Sequence, residues 1–197
     1  TDASYVCYAR TMTWTGATGN WSDPTNWNWA GNTSIEPPSE VDDIIVVSAG
    51  APPVLAVAAA VNDLTVTSGT LTLNDALTVN GALENQSVIE ITSAGSINVS
   101  DNNSGTFRYS TGGGTIPILS GYNDLEISAS SWTTGGNLSV ASDLSLTGAL
   151  STGANTMTVT GDTSGAGAWT AGAGTVTVGG NFGATNFTQA GGTLILN

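Results

Sequence analysis

The sequence predicts an all-β protein: a parallel β-solenoid, a three-sided β-helix of about 19–21 residues per turn, entered through an irregular cap rich in Trp and Pro. Three observations predict it. The composition suits short strands and tight turns, one short phrase recurs along the chain, and the apolar anchors of that phrase return at a near-constant step.

The composition comes first. Charged residues make up 9% of the chain, against roughly 25% in an average soluble protein. Glycine accounts for 26 of 197 residues, and the hydrophobes are mostly Val, Leu, Ile and Ala interleaved with Thr and Ser. Such a chain has the apolar material for a core, but not the helical period or the charged outer face of amphipathic helices.

The phrase reads LTVNGAL at 77–83, LSLTGAL at 144–150, MTVTGDT at 157–163 and VTVGGNF at 176–182. In each, apolar and hydroxyl residues alternate, so the first and third side chains share one face. A glycine follows, and glycine permits a corner that a β-branched residue resists.

The step is the third observation. Leu138, Met157, Val176 and Leu194 each begin an apolar-x-apolar triplet, 19, 19 and 18 residues apart. Leu77, Ile97 and Ile118 lie 20 and 21 apart. Between them stand secondary anchors at steps of six or seven, such as Leu64, Leu71, Leu77 and Leu83, and later Leu150, Trp169, Phe182 and Phe187. One short strand plus one corner per step gives a triangular coil. A single coil cannot bury its own inward face, but stacked coils about 4.8 Å apart form a continuous apolar column. An antiparallel sandwich also uses short strands and polar turns; the constant step favours the solenoid.

The chain divides into residues 1–61, cap and entry strands, and 62–197, the repeat region of about seven turns. The first part holds four of the six Trp (Trp14, Trp21, Trp27, Trp29) and five of the six Pro. Dense prolines interrupt regular pairing, and large rings in such a segment suit a lid over a core end. Within it, Asp42–Val47 reads as a strand.

The segment WTGATGNWSDPTNW at 14–27 resembles the opening of bacterial secreted β-solenoid repeat proteins: autotransporter-like passengers, surface adhesins and filament proteins. So do the Asp42-Asp43 strand, Pro52-Pro53-Val54 and VNDLTV at 61–66, while GYNDLEI at 121–127 is similar to a recurring strand of that group. The resemblance spans nearly the whole chain, and its motifs encode turns and strands, not chemistry. It implies export, surface display and a structural or adhesive role; the lysine-free composition also suggests export, in which case a signal segment is expected to have been removed. It carries over no catalytic residue.

The charge balance excludes other classes. Arg10 and Arg108 stand against fifteen acids, for a net charge of −13, with no Lys or His. Nothing can neutralise a phosphate backbone, so nucleic acid is excluded as a partner. No stretch is long and apolar enough to insert in a membrane. Without His there is neither the usual base of a nucleophilic triad nor, with one Cys, a zinc site. Cys7 is left as an unpaired thiol or a link to a second chain.

Carboxylate chemistry needs two acids at a defined separation. Asp42 and Asp43 point to opposite faces of a strand, and Asp124 and Glu126 share a face but lack loops to build a cleft. No enzyme activity and no cofactor are expected. Calcium could find oxygen ligands at corners such as Asp101-Asn102-Asn103, although no calcium-loop pattern is present. Thr-x-Thr pairs (65/67, 70/72, 158/160, 175/177) suggest hydroxyl ladders of the kind that order water and bind ice, but the second anchor is often Asn, Ser or Gly and the pairs are not expected to recur on one face in every turn. The tryptophans could form a glycan platform; a cap core is the simpler account.

The sequence runs out in a repeat strand, Thr193 to Leu196. An uncovered solenoid end exposes unpaired backbone and a slice of core. Either the chain is a piece of a longer solenoid, or that end pairs with another subunit; on the second, the expected function is a structural subunit of an extracellular filament or surface appendage, assembling head-to-tail with copies of itself. Leu194, Ile195 and Leu196 would form one end of the contact, and Tyr5, Val6 and Trp14 the other. The alternative is a module of a monomeric adhesin that binds glycan or host protein.

Overall fold

The structure is a computed structural model that describes residues 9–92, 94–99, 104–119, 121–184 and 186–197. It is all-β, with mostly parallel sheets stacked as a β-solenoid of about 8 turns. Its one helical segment among the described residues is a 3₁₀ turn at Pro24–Asn26.

The coil begins at Asp43–Val46. That strand, Val54–Leu55 and Ala59–Val61 pair in parallel with Leu64–Val66, Thr70–Leu73 and Ala76–Val79 of the next coil. The entry strands of residues 1–61 are thus the first turn itself, which is why the coil exceeds the expected seven turns. The apolar run Val54 to Val61 is split between two sides of this turn.

One side is continuous. Its seven strands follow chain order from Val54–Leu55 to Thr163–Ser164. The other sides are each built from two sheets. The first three coils use the sheets containing Ile44, Leu64 and Leu83 and containing Val61, Val79 and Ile97; later coils use sheets of five and four strands. A ladder of backbone bonds bridges the change, with Ser104 N donating to Asn85 O at 3.0 Å and Ser142 N to Asn123 O at 2.9 Å.

The register reproduces the expected column. Leu138, Met157, Val176 and Leu194 are direct partners on successive coils, as are Leu77 and Ile97. Ile118 departs from it. It is 60% exposed, and Ile116 takes the buried place in Gly114–Ile116. Pro117 follows Ile116, so the strand stops before Ile118 can turn inward.

The inward residues form one continuous apolar cluster. A second column runs Trp132, Leu150, Trp169, Phe187. Trp132 and Trp169 therefore belong to the core.

The cap forms before the first coil. Thr11–Trp14 pairs in parallel with Asp43–Val46 on one edge and antiparallel with Trp27–Trp29 on the other. Trp27–Trp29 then turns through Ala30-Gly31, both at positive φ, into Asn32–Thr33. Trp14, Trp21 and Trp27 are buried, with ring centroids 4.8–4.9 Å apart in edge-on contact. Trp14 Nε1 donates to Ala51 O at 2.9 Å. Trp14, expected at a docking surface, sits inside this lid because alternation along its strand turns the ring inward onto Trp27. Trp29 is the cap tryptophan left at the surface, 47% exposed.

Candidate functional site: the open edge of the last coil

The last coil consists of Phe182, Asn186–Gln189 and Thr193–Leu196. Each is paired on one side only. Phe182 bridges to Thr163, Asn186–Gln189 pairs with Ala168–Ala171, and Thr193–Leu196 pairs with Thr175–Val178. Their outer edges meet no strand among the described residues. Backbone donors and acceptors along those edges therefore face outward, as at any sheet edge.

Side chains change character at the same place. Trp169 and Val176 are fully buried, while their partners one coil on, Phe187 and Leu194, are only half-buried. Phe182 is half-buried too, and Leu196 is 54% exposed. Trp169, Phe182 and Phe187 form an aromatic cluster, with Phe187 edge-on to both neighbours at 5.3 Å. The inward half of this cluster is core and the outward half is a surface. Alternation explains why Leu194 and Leu196 share the inward row while Ile195, 40% exposed, points to the outer face.

Of the residues expected to mediate assembly, Leu194 and Leu196 lie on this edge and Ile195 beside it. Trp14 lies in the cap interior, and Tyr5 and Val6 fall outside the described residues, as do Cys7 and Asp101-Asn102-Asn103. Phe182 and Phe187 belong to the edge as much as Leu194 does. They are legible in the sequence as anchors, and their half-buried state is seen only in the structure.

The acids are engaged in structure. Glu126 accepts from Arg108 Nε at 2.8 Å, and Glu90 stands on the other side of Arg108 in register. Asp124 Oδ1 accepts from Asp143 N at 3.1 Å, Asp143 Oδ1 from Asp162 N at 2.8 Å, and Asp162 Oδ1 from Asn181 N at 2.7 Å. This corner ladder repeats every 19 residues and ties each coil to the next. The Asn181 backbone and side-chain amides hold the Asp162 carboxyl below its ordinary value. No group of three or more His, Cys, Asp or Glu is arranged to hold a metal ion among the described residues.

Asp42 is the most enclosed acid. It accepts from Arg10 Nε at 2.8 Å, from Arg10 Nη2 at 2.7 Å, and from Ser39 N and Oγ at 2.8 and 2.7 Å. Burial pushes its carboxyl up, but the Arg10 and Ser39 bonds outweigh burial and hold it below the ordinary value. It pins the cap strand and the Pro37-Pro38 segment to the first coil.

No family model, curated protein or solved structure matches this chain.

Proposed function

We propose that this protein is a non-catalytic structural subunit of an extracellular filament or surface appendage, growing by addition of β-coils to the edge formed by Phe182, Asn186–Gln189 and Thr193–Leu196. The observation that carries the reading is the half-buried state of Phe182, Phe187 and Leu194 above a fully buried Trp169 and Val176. Burying that slice and pairing those edges releases water from apolar surface and satisfies a row of backbone groups in one contact. The occupant is a second copy of the chain. A contact between unlike ends gives a fibre where its repetition does not close into a ring.

A second reading, an adhesive module, rests on Trp29. Its exposed ring lies 6.0 Å from the Arg10 guanidinium and offers a flat face for a sugar.

The experiment compares the intact chain with the Phe187→Lys/Leu196→Lys variant by negative-stain electron microscopy and sedimentation velocity, with circular dichroism as the check on folding. Filaments from the intact chain and monomers from the folded variant support assembly. Uniform monomers from the intact chain across the accessible concentration range sink it, and binding of glycans lost on Trp29→Ala then establishes the second reading.

A further inference from the structure

The outer face of the four-stranded side carries a feature that assembly at the coil end does not use. Thr156 and Thr158 flank Met157, and Thr175 and Thr177 flank Val176. Met157 and Val176 are register partners, as are Thr158 and Thr177. Ser139 precedes them in one column, next to Thr158, and Thr193 follows in the other, next to Thr175. Thr156/Thr158 and Thr175/Thr177 thus form a compact block of hydroxyls, extended by Ser139 in one column and by Thr193 in the other, and Ile195 follows Thr177 in the Ser139 column.

Three properties set this face apart. It is regular: its pairing carries no register shift, so hydroxyls repeat about 4.8 Å from coil to coil and about 6.6 Å along each strand. It is uncharged: from residue 128 to the end the acids are Asp143 and Asp162 alone, with no basic residue, and both belong to the corner ladder. Its side-chain hydroxyls are free. Those of Ser139, Thr156, Thr158, Thr175, Thr177 and Thr193 make no hydrogen bond to the described protein, whereas corner hydroxyls such as Thr67, Thr92 and Thr147 donate to carbonyls one coil below. The charged columns lie on the seven-stranded side, where Glu90, Arg108 and Glu126 stack.

Threonine suits such an array. Its branched Cβ limits χ1, so hydroxyl and methyl are held in place before any ligand arrives. Beneath it, Leu138, Met157 and Val176 are packed into the core and keep the platform rigid. Water bridging fixed hydroxyls loses little further entropy on ordering, and the methyls between them favour ordered over mobile neighbours. No charge is present to impose its own hydration.

We propose that this face is a binding site for ordered water, and that through it the protein adsorbs to ice. The ligand is a neutral crystalline lattice of water, matched by a two-dimensional array of neutral hydroxyls.

The test is partition into a slowly growing ice front, with ice itself as the probe. The intact chain is compared with Thr158→Tyr/Thr177→Tyr, which breaks the flat array, and with Thr72→Tyr on the seven-stranded side. Thermal unfolding shows that each variant is folded, and sedimentation shows its oligomeric state. The expected result is incorporation of the intact chain and of Thr72→Tyr into the ice, with loss of incorporation for the double variant. Rejection of the intact chain from the ice overturns the proposal. Incorporation of the folded double variant equal to that of the intact chain overturns the assignment to this face.

Discussion

The Asp162 carboxylate accepts the backbone N–H of Asn181, one coil above it, at 2.7 Å. Gly180 sits between them in the sense that a Cβ there would collide with Asp162 Oδ1 and with the Gly161 backbone. The same relation holds for Gly161 over Asp143 and Gly81 over Asp63. These glycines are conserved features of the repeat phrase within this chain because of space, not because of a left-handed backbone. Gly180→Ala is therefore expected to destabilise the fold by about 1–3 kcal/mol, the usual cost of forcing atoms into a filled site. A Gly31→Ala control, where a Cβ meets nothing but φ is +81°, separates steric from backbone cost. Chemical denaturation of both variants measures the difference, and an unchanged midpoint for Gly180→Ala would refute the steric account.

Much of this was legible in the sequence, because the solenoid repeats its inward anchors. Leu138, Met157, Val176 and Leu194 are a column in the sequence and in the structure. What the repeat does not specify is what fills the spaces between anchors. The glycine of LTVNGAL reads as a corner residue until the carboxylate of the previous coil is seen beside it. The first turn, 43–61, reads in the sequence as entry strands because Pro52-Pro53 and the Ala-rich stretch hide its period. The hydroxyl ladders are legible as Thr-x-Thr pairs, but which of them meet across coils is not. Thr158 and Thr160 are adjacent alternates in sequence, yet the partner of Thr175 is the residue before Met157, and only the register reveals it. The edge is half legible: Leu194 to Leu196 as a repeat strand, and the half-buried state of Phe182 and Phe187 only in the structure.

The Arg10–Asp42 pair makes the cap sensitive to acid. Asp42 is held below its ordinary value, so its bonds stabilise the fold above that value and stop doing so as pH falls through the lowered one. The groups facing it are Arg10, Ser39 and, on the far side of the guanidinium, Glu36 at 3.4 Å. Loosening of the cap is expected below about pH 4, seen as a rise in solvent quenching of Trp14, Trp21 and Trp27 fluorescence before the repeat coils unfold. Asp42→Asn is expected to reproduce that loosening at neutral pH and to cost on the order of 3 kcal/mol, since it strands Arg10 beside a neutral amide. Quenching that is unchanged in Asp42→Asn would show that the pair does not hold the cap.

Tyr109 and Tyr122 set the alkaline limit. Their hydroxyls lie 2.9 Å apart in the core, and Tyr122 also donates to Pro117 O at 2.8 Å. Burial raises both phenols above their ordinary value, and for Tyr109 the neighbouring Tyr122 raises it further. The neutral forms belong to the folded state. Stability is then constant below about pH 10, the ordinary phenol value, and falls above it as the unfolded phenols ionise. Ultraviolet titration should find these two phenols silent until the fold opens. Tyr122→Phe leaves Tyr109 and Pro117 O without that partner and is expected to cost about 1–3 kcal/mol. A tyrosinate signal from both residues near pH 10 in a folded chain would contradict the buried pair.

Trp169 and Phe187 are register partners in one column, and they differ in what covers them. Trp169 is fully buried between Leu150 and Phe187, while Phe187 has a neighbour on one side only. Trp169→Ala should cost about 3–5 kcal/mol, as for any large buried ring. Phe187→Ala removes a half-buried ring and should cost clearly less in a dilute, monomeric chain. Assembly through the last coil changes this ordering, because a coil added above Phe187 covers it as Phe187 covers Trp169. The penalty of Phe187→Ala should then grow with protein concentration while that of Trp169→Ala stays fixed, since only the first residue gains contacts on association. Thermal unfolding of both variants over a concentration series measures the two penalties. Concentration-independent penalties for both would place Phe187 outside any self-contact and return the open edge to an unassembled surface.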